Sequence, residues 1–431
     1  MRVLIIGGGG REHALAELAL RSPQLSALFV APGNAGTAAH NVALNVNVHP
    51  EVVAFCDTES IDLVVIGPEV PLVAGLADRL TEAGVACFGP SAAAAQLEGS
   101  KAFTRKFAAQ VGVAQPHSAA FRDAATATAW FHDFGAPVVV KADGLAAGKG
   151  VVIPDNDGET VAAIDDMFAG AFGESSETVV LEERMTGEEL SLFAITDGTT
   201  VVPLAVAQDH KRVGDGDTGL NTGGMGAFTP VPGVGPAAVA ALSEQFVDPV
   251  VRGMAEQGTP YVGVLFAGLM VTPEGPKLVE YNCRFGDPEA EVILPLVIDD
   301  GLELLHAAAT GRLGELQVHG IADRAAATVV VAADGYPTAP TKGIEMPTAA
   351  LAAVAADDQA MVFHAGTALD SNGQLVSSGG RVLAITGLGV DLDAALAAAY
   401  DHVDEITQTS GLFARTDIGW RHAPRPTPRS S

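Results

Sequence analysis

A short apolar strand that runs into four consecutive glycines and then into a helix constrains this chain more than any other feature. Val3–Ile6 is an unbroken apolar run, Gly7–Gly10 follows, and Arg11–Arg21 carries helical spacing. Runs of this kind suit strands buried on both faces, as in parallel sheets. The pattern recurs at Leu28–Ala31, at Leu63–Ile66 before Gly67-Pro68-Glu69, and at Ala86–Phe88 before Gly89-Pro90. Strand, crossover helix, strand predicts a doubly wound parallel sheet whose ligands bind at the carboxyl ends of its strands. Gly7–Gly10, Pro32–Gly36 and Gly67–Glu69 all fall at such ends. A dinucleotide fingerprint does not fit. GxGxxG begun at Gly7 needs glycine at position 12, where Glu12 stands, and the second strand runs into Ala31-Pro32-Gly33 instead of an acidic residue. A phosphate at the helix N-terminus remains a reasonable expectation.

Beyond residue 100 the character changes to α+β, and 431 residues are too many for one ordinary core. Strand-rich runs at Pro137–Ala142 and Thr178–Glu183 flank a glycine loop and a helical stretch near 159–170. Further strands are expected near 201–207, 262–271 and 277–281, and then near 326–332, 361–366 and 380–386, with a helix from Leu392. The Pro-, Arg- and Ser-bearing tail after Arg421 is expected to be disordered. There is no internal repeat and no low-complexity linker.

Charge narrows the partners. With 24 Lys and Arg against 52 Asp and Glu, the net charge is −28. Such a surface repels nucleic acid and anionic membranes, so any phosphate site must carry its own local cations. Cys56, Cys87 and Cys283 form no CxxC pair, and so few cysteines fit a reducing cytoplasm. The N-terminal apolar run is too short for a signal peptide, and no uninterrupted apolar stretch is long enough to span a bilayer.

Several motifs meet that need for local cations. Asp143–Gly150 is a glycine-rich loop after a strand ending in Lys141, and it carries Lys149. It is not a Walker A loop, because three residues separate Gly144 from Gly148 and Gly150 follows the lysine. Its backbone N–H groups and two lysines can nonetheless surround phosphate oxygens. Leu181–Met185, followed by Gly187-Glu188-Glu189, suits an adenine hinge, with one carboxylate accepting from the exocyclic amine and a later one taking ribose hydroxyls. Asp209-His210-Lys211-Arg212, leading to Asn221–Gly226, reads as a structureless polar loop of about twenty residues, with His210 and its cations serving an anionic substrate. In Glu280-Tyr281-Asn282-Cys283-Arg284, Glu280 and Asn282 are two apart on a strand and share a face. Two hard oxygen donors there can hold Mg²⁺ while nucleotide phosphates complete its shell. Arg284 falls on the same face if the strand continues, and Cys283 points away as a packing residue.

Taken together, these runs resemble the phosphoribosylamine–glycine ligase (glycinamide ribonucleotide synthetase) family of the ATP-grasp superfamily. The resemblance covers nearly the whole chain, through GGREHA (8–13), PGNAGT (32–37), GPE (67–69), QLEGSKAF (96–103), KADGLAAGKGV (141–151), QDHKR (208–212), NTGGMGA (221–227), YNCRFGDPE (281–289), FHAGT (363–367), GGRV (379–382) and DIGWR (417–421). It implies an N-terminal substrate domain over 1–100, an ATP-grasp unit over 101–325 with a mobile lid at about 115–190, a C-terminal α+β domain over 326–425, and a tail over 426–431. It implies ATP contacts from Lys101, Lys141, Gly144, Gly148, Lys149, Glu182, Met185 and Glu189, and metal ligation by Glu280 and Asn282 with Mg²⁺ or Mn²⁺. It implies substrate contacts from Gly9, Gly33, Asn34, Gly36, Glu69, Asp209, Arg284 and Gly286, with Lys141, Lys211 and Arg284 catalytic. The sequence departs from wider superfamily habit in one place: the Val264–Met270 strand carries no second metal-binding carboxylate. Leu220 also stands where the family usually has proline.

The implied activity is ATP-dependent ligation of glycine to 5-phosphoribosylamine through glycyl phosphate, in the cytoplasm, by a monomer or weak homo-oligomer. Such chemistry requires no side-chain nucleophile, in keeping with the lack of a persuasive Ser/His/Asp or Cys/His set. A different ATP-grasp ligase is disfavoured by DHKR and RFGDPE. An oxidoreductase is disfavoured by the missing third glycine, and a non-catalytic nucleotide sensor by the intact Lys141, Lys149, Glu280, Asn282 and Arg284.

Overall fold

The computed structural model describes residues 1–145, 150–170 and 177–422. Gly148, Lys149 and the 426–431 tail lie outside them. The first hundred residues form a four-stranded parallel sheet. Arg2–Gly7 lies between Ala27–Pro32 and Leu63–Ile66, with Ala86–Phe88 outermost. Val3–Ile6 and Leu63–Ile66 are buried throughout, as unbroken apolar runs require. The helix Gly10–Leu20 follows the glycine turn, and Gly7 adopts φ +127°, a region that favours glycine.

A nine-stranded antiparallel sheet forms the body of the molecule. Its order places Gly275–Asn282, Val262–Thr272, Glu188–Asp197, Val201–Asp209 and Gly226–Thr229 side by side, and continues through Ala325–Ala333 and Arg381–Gly389 to Ala360–His364. Leu412–Ala414 joins at Ala325–Ala333. The sequence reading missed the Glu188–Asp197 strand, which lies at the centre of one half of this sheet. Its residues 190–196 are all buried, so both faces are covered and no alternation marks it.

A smaller antiparallel sheet, ordered Ser118–Phe121, Val179–Glu183, Val138–Ala142 and Val151–Val152, packs two helices, Ala124–Phe134 and Asp157–Phe168, on one face. Phe121, Phe131, Val140, Ile164 and Leu181 share its core. Lys141 pairs Val180 and Val139 pairs Glu182 in register. Lys141 and Glu182 therefore leave the opposite face, toward the large sheet. No helix among the described residues is long and apolar enough to cross a membrane.

The segment after Asp209 is not the structureless loop expected. Arg212–Gly214 and Thr218–Asn221 pair as a hairpin, with Asp217 at φ +56° in its turn.

Candidate active site

The helix Lys101–Gln110 begins at Ser100, whose side chain accepts from Phe103 N. Asp143 at the start of the glycine loop accepts from Ser100 Oγ at 3.0 Å and from Ala102 N at 3.1 Å. The loop is thereby tied to the helix end, and Lys101 Nζ donates to Gly144 O at 2.9 Å. One turn on, Arg105 is buried and forks onto Glu182 with two 2.7 Å bonds. Its remaining N–H groups reach Leu278 O and Val279 O. Lys141 Nζ takes the same carboxylate at 2.7 Å. Burial works to raise the Glu182 pKa, but Lys141 and Arg105 outweigh it and hold the carboxyl down to about 2.

The Glu182 carboxylate is thus held between two cations and anchors Lys141. Sequence reasoning also missed Arg105, although its spacing of four from Lys101 puts both on one helix face.

Glu280 and Asn282 do share a face. Tyr281 between them points the other way and donates its hydroxyl to Phe246 O. Burial opposes ionisation of Glu280, yet Lys211, Lys141 and Lys101 lower its pKa. Asn282 Nδ2 is buried with no hydrogen-bond partner among the described residues. A buried amide left open beside a carboxylate fits a divalent cation, with the amide turned to present its oxygen. Gly268 lies opposite Glu280 in register, so the neighbouring strand adds no second carboxylate there. Lys211 Nζ lies 3.4 Å from Glu189 Oε2, and Glu189, against the cost of burial, raises the lysine pKa. Met185 follows the Val179–Glu183 strand and is half-buried.

Arg284 is not on the strand face. The strand ends at Asn282, and the turned chain carries Arg284 to Glu98 Oε1 at 3.0 Å and Glu69 Oε2 at 3.2 Å. Cys283 is buried as expected, with its N–H on Glu98 Oε2 at 2.8 Å. Arg284 thus bridges the parallel sheet domain to the metal-type strand.

A second cleft, of about 400 Å³, is lined by Gly8, Gly9, Gly33, Asn34, Asp287, residues 365–367, Ser378, Gly379 and Arg381. Gly9, Gly33 and Asn34 were expected there. Residues 365–367, 378, 379 and Arg381 were not, although FHAGT and GGRV flank or contain them. Arg381 Nη2 lies 3.0 Å from Asp287 Oδ1, and Nη1 donates to Asp287 O at 2.7 Å. Asn34 spends its Nδ2 on Gly8 O, Gly9 O and His364 O, and so staples the turns that shape the cleft. Gly36 and Gly286 are not in its lining. Gly36 N donates to Asn34 Oδ1 at 2.8 Å, and Gly286 packs on Glu289.

The anion expected at the N-terminus of the Gly10–Leu20 helix meets competition. Gly9 N already donates to Glu12 Oε2 at 2.5 Å and Arg11 N to Asp287 Oδ2 at 3.3 Å. Arg381 is engaged too, by Asp287 and by Gly223 O and Gly224 O.

Asp209 is under the influence of both Lys211 and Arg381. Burial first, and then Glu289, push its pKa well up, and its Oδ1 is unpartnered among the described residues. His210 departs from expectation. It is buried and accepts at Nε2 from Gly419 N at 3.0 Å. Burial, reinforced by Arg415, lowers its pKa to about 4. Its Nδ1 is also buried and has no hydrogen-bond partner among the described residues.

Behind the second cleft, Glu291 is wholly buried and neither carboxyl oxygen has a partner among the described residues. Burial, then Asp287, hold its pKa well above the ordinary 4.5. In the unfolded chain this group ionises above about pH 4.5, whereas the folded chain keeps the proton, so wild-type stability falls as pH rises. E291Q carries no such penalty. Its thermal midpoint relative to wild type should therefore climb between pH 5 and pH 8, by the equivalent of about 1.4 kcal/mol for each pH unit over which the folded carboxyl stays protonated. A constant difference across that range would mean that Glu291 is ionised in the fold.

Family models for phosphoribosylglycinamide synthetase match the chain in three parts: the N domain over residues 1–98, the ATP-grasp (A) domain over 99–290 and the C domain over 326–421. A phosphoribosylamine–glycine ligase of Rhizobium meliloti is 52% identical over 429 residues, covering 99% of this chain and all of that one. Its counterpart in Agrobacterium fabrum is 51% identical, covering 98% of each. The crystal structure of phosphoribosylamine–glycine ligase from Thermotoga maritima superposes with a TM-score of 0.81 at 33% identity, covering 97% of this chain and 100% of that one.

Proposed function

The chain belongs to the phosphoribosylglycinamide synthetase family, and on that premise we propose that it activates glycine as glycyl phosphate in the Lys101–Lys141 cluster and passes it to an amine whose phosphate lies against Arg381. The activity is ATP-dependent ligation of glycine to phosphoribosylamine, a step of de novo purine biosynthesis. ATP-grasp enzymes use ATP with a divalent cation, and here Mg²⁺ or Mn²⁺ would be held by Glu280 and Asn282, neutralising charge on the transferring phosphoryl.

The observation that carries the mechanism is the Glu280 carboxylate set among Lys211, Lys141 and Lys101 beside the open Asn282 amide. A carboxylate is a poor electrophile because its oxygen is a poor leaving group, and phosphorylation supplies a good one. Lys141, fixed by Glu182, and Lys101 counter the charge on the γ-phosphoryl while a glycine carboxylate oxygen attacks the phosphorus. The adenosine is read against Met185 and Glu189, with Gly144 on the phosphate side beside Lys101. Arg284 and Lys211 hold the glycine carboxylate until it is transferred. The sugar phosphate is read in the cleft of Gly8, Gly9, Gly33 and Arg381, which puts the amine on the Asp209 side, facing the acyl phosphate. Asp209, when ionised, has an open oxygen suited to accept the proton that the amine sheds as it attacks the acyl phosphate. We read the enzyme as cytoplasmic, and as a monomer or weak homo-oligomer.

The test follows the oxygen. The carboxylate oxygen that attacks phosphorus must leave with phosphate when the amine displaces it. Glycine labelled with heavy oxygen in its carboxylate should give inorganic phosphate carrying one labelled oxygen per turnover, read by mass spectrometry. Label in AMP would mean adenylation. Unlabelled phosphate accompanying normal product would rule the acyl phosphate out.

A further inference from the structure

The C-terminal segment 415–422 holds the chain that carries Asp209 and Lys211, and Arg415 is its centre. Arg415 is 2% exposed. Its Nη1 donates to Arg212 O at 3.1 Å and Asp217 Oδ1 at 2.8 Å. Its Nε and Nη2 take Asp417 Oδ1 and Oδ2 at 2.7 and 2.9 Å. Around this fork, Gly216 N donates to Asp417 Oδ2, Thr416 N to Asp215 Oδ1, and Arg421 pairs Asp217. Gly419 N caps His210 Nε2, while Gln208 Oε1 lies 3.1 Å from His422 Nε2 and Gln208 Nε2 donates to Glu189 O at 3.0 Å. Gln208, His210, Arg212 and residues 215–217 are therefore all tied to residues some 200 positions later. The hairpin itself offers little packing, since Thr218–Asn221 is exposed along its length.

We propose that Arg415 is a positioning residue for ligation, fixing the 208–221 segment so that Asp209 and Lys211 face the glycine and amine sites. This rests on the reading of Asp209 and Lys211 as substrate residues. A buried guanidinium gripping a carbonyl one residue from Lys211 transmits any loss of its grip directly to that lysine. The fork geometry matters, because lysine cannot bond Asp417 with two parallel donors while holding Arg212 O.

R415Q is expected to lower kcat/KM for glycine and for the amine at least about 10-fold, the scale of a misplaced substrate-contacting group. The KM for ATP should change less than that for glycine, because Lys101 and Lys141 are held by Gly144 and Glu182 and the segment reaches the nucleotide side only at Glu189. In hydrogen exchange, amides of 212–221 should speed up while those of 262–272 stay protected. D217N, at a partly exposed carboxylate, provides the gentler second variant, with the same pattern at smaller size. Wild-type kinetics in both variants, or equal loss of protection in the hairpin and the 262–272 strand, would overturn the proposal. K211M separates the two readings. Full activity in K211M defeats the substrate reading of Lys211, whereas impaired K211M with unimpaired R415Q and D217N defeats the positioning role alone.

Discussion

Replacing Glu280 with alanine is expected to lower turnover at least about 10²-fold while the protein stays folded, the scale of removing one preorganised electrostatic element. Glu280 is the carboxylate on which Lys211, Lys141 and Lys101 converge, and Gly268 opposite it has no side chain to take its place. Removing the carboxylate leaves Asn282 as a lone neutral donor for a divalent cation and leaves three ammonium groups facing one another. Glu280 is only half-buried, at the end of a strand whose packing rests on Leu278 and Tyr281, so the fold should survive. E280Q retains shape and should lose nearly as much, because the cation needs the charge. Turnover near wild type for either variant in saturating Mg²⁺ or Mn²⁺ would remove Glu280 from the metal site.

That pair was legible because a strand has period two, and the prediction needed only Leu278–Tyr281 to be a strand. Arg284 was misplaced by the same rule, since nothing local says that the strand stops at Asn282. The N-terminal sheet was legible because strands buried on both faces read as unbroken apolar runs broken by glycine turns. The Glu188–Asp197 strand has the same burial, but it opens with two glutamates and was read as a hinge. His210 looked like an anion ligand beside Lys211 and Arg212, and only the fold reveals Gly419 and Arg415 around it. The Arg381 cleft joins residues 8, 34, 287 and 366, a juxtaposition that no spacing in the chain encodes. Local periodicity thus located the groups on single elements, while the groups that anchor them came from elements far away in sequence.

Arg105 is the clearest such anchor, and R105M is expected to destabilise the protein by about 3–5 kcal/mol, as when one partner of a buried ion pair is removed. Arg105 and Glu182 have side chains 7% and 3% exposed, so water cannot replace the lost bonds. Leu278 O and Val279 O lose their donor as well. R105K keeps the charge but not the fork, and should fall between R105M and wild type in chemical denaturation. The sign of the pH effect follows from Glu182. Its pKa is held down to about 2 in the fold, against burial, by Lys141 and Arg105. The stability this contributes is present above the unfolded value near 4.5 and is lost as pH falls toward 2. Without Arg105 the depression shrinks, so R105M should unfold in acid at a higher pH than wild type. Its ATP affinity should also weaken, because Glu182 then shares its charge with Lys141 alone and draws that lysine away from phosphate. A loss under about 1 kcal/mol, with an unchanged acid midpoint, would mean that Lys141 alone satisfies Glu182 and that Arg105 is not what fixes the phosphate-binding lysine in place.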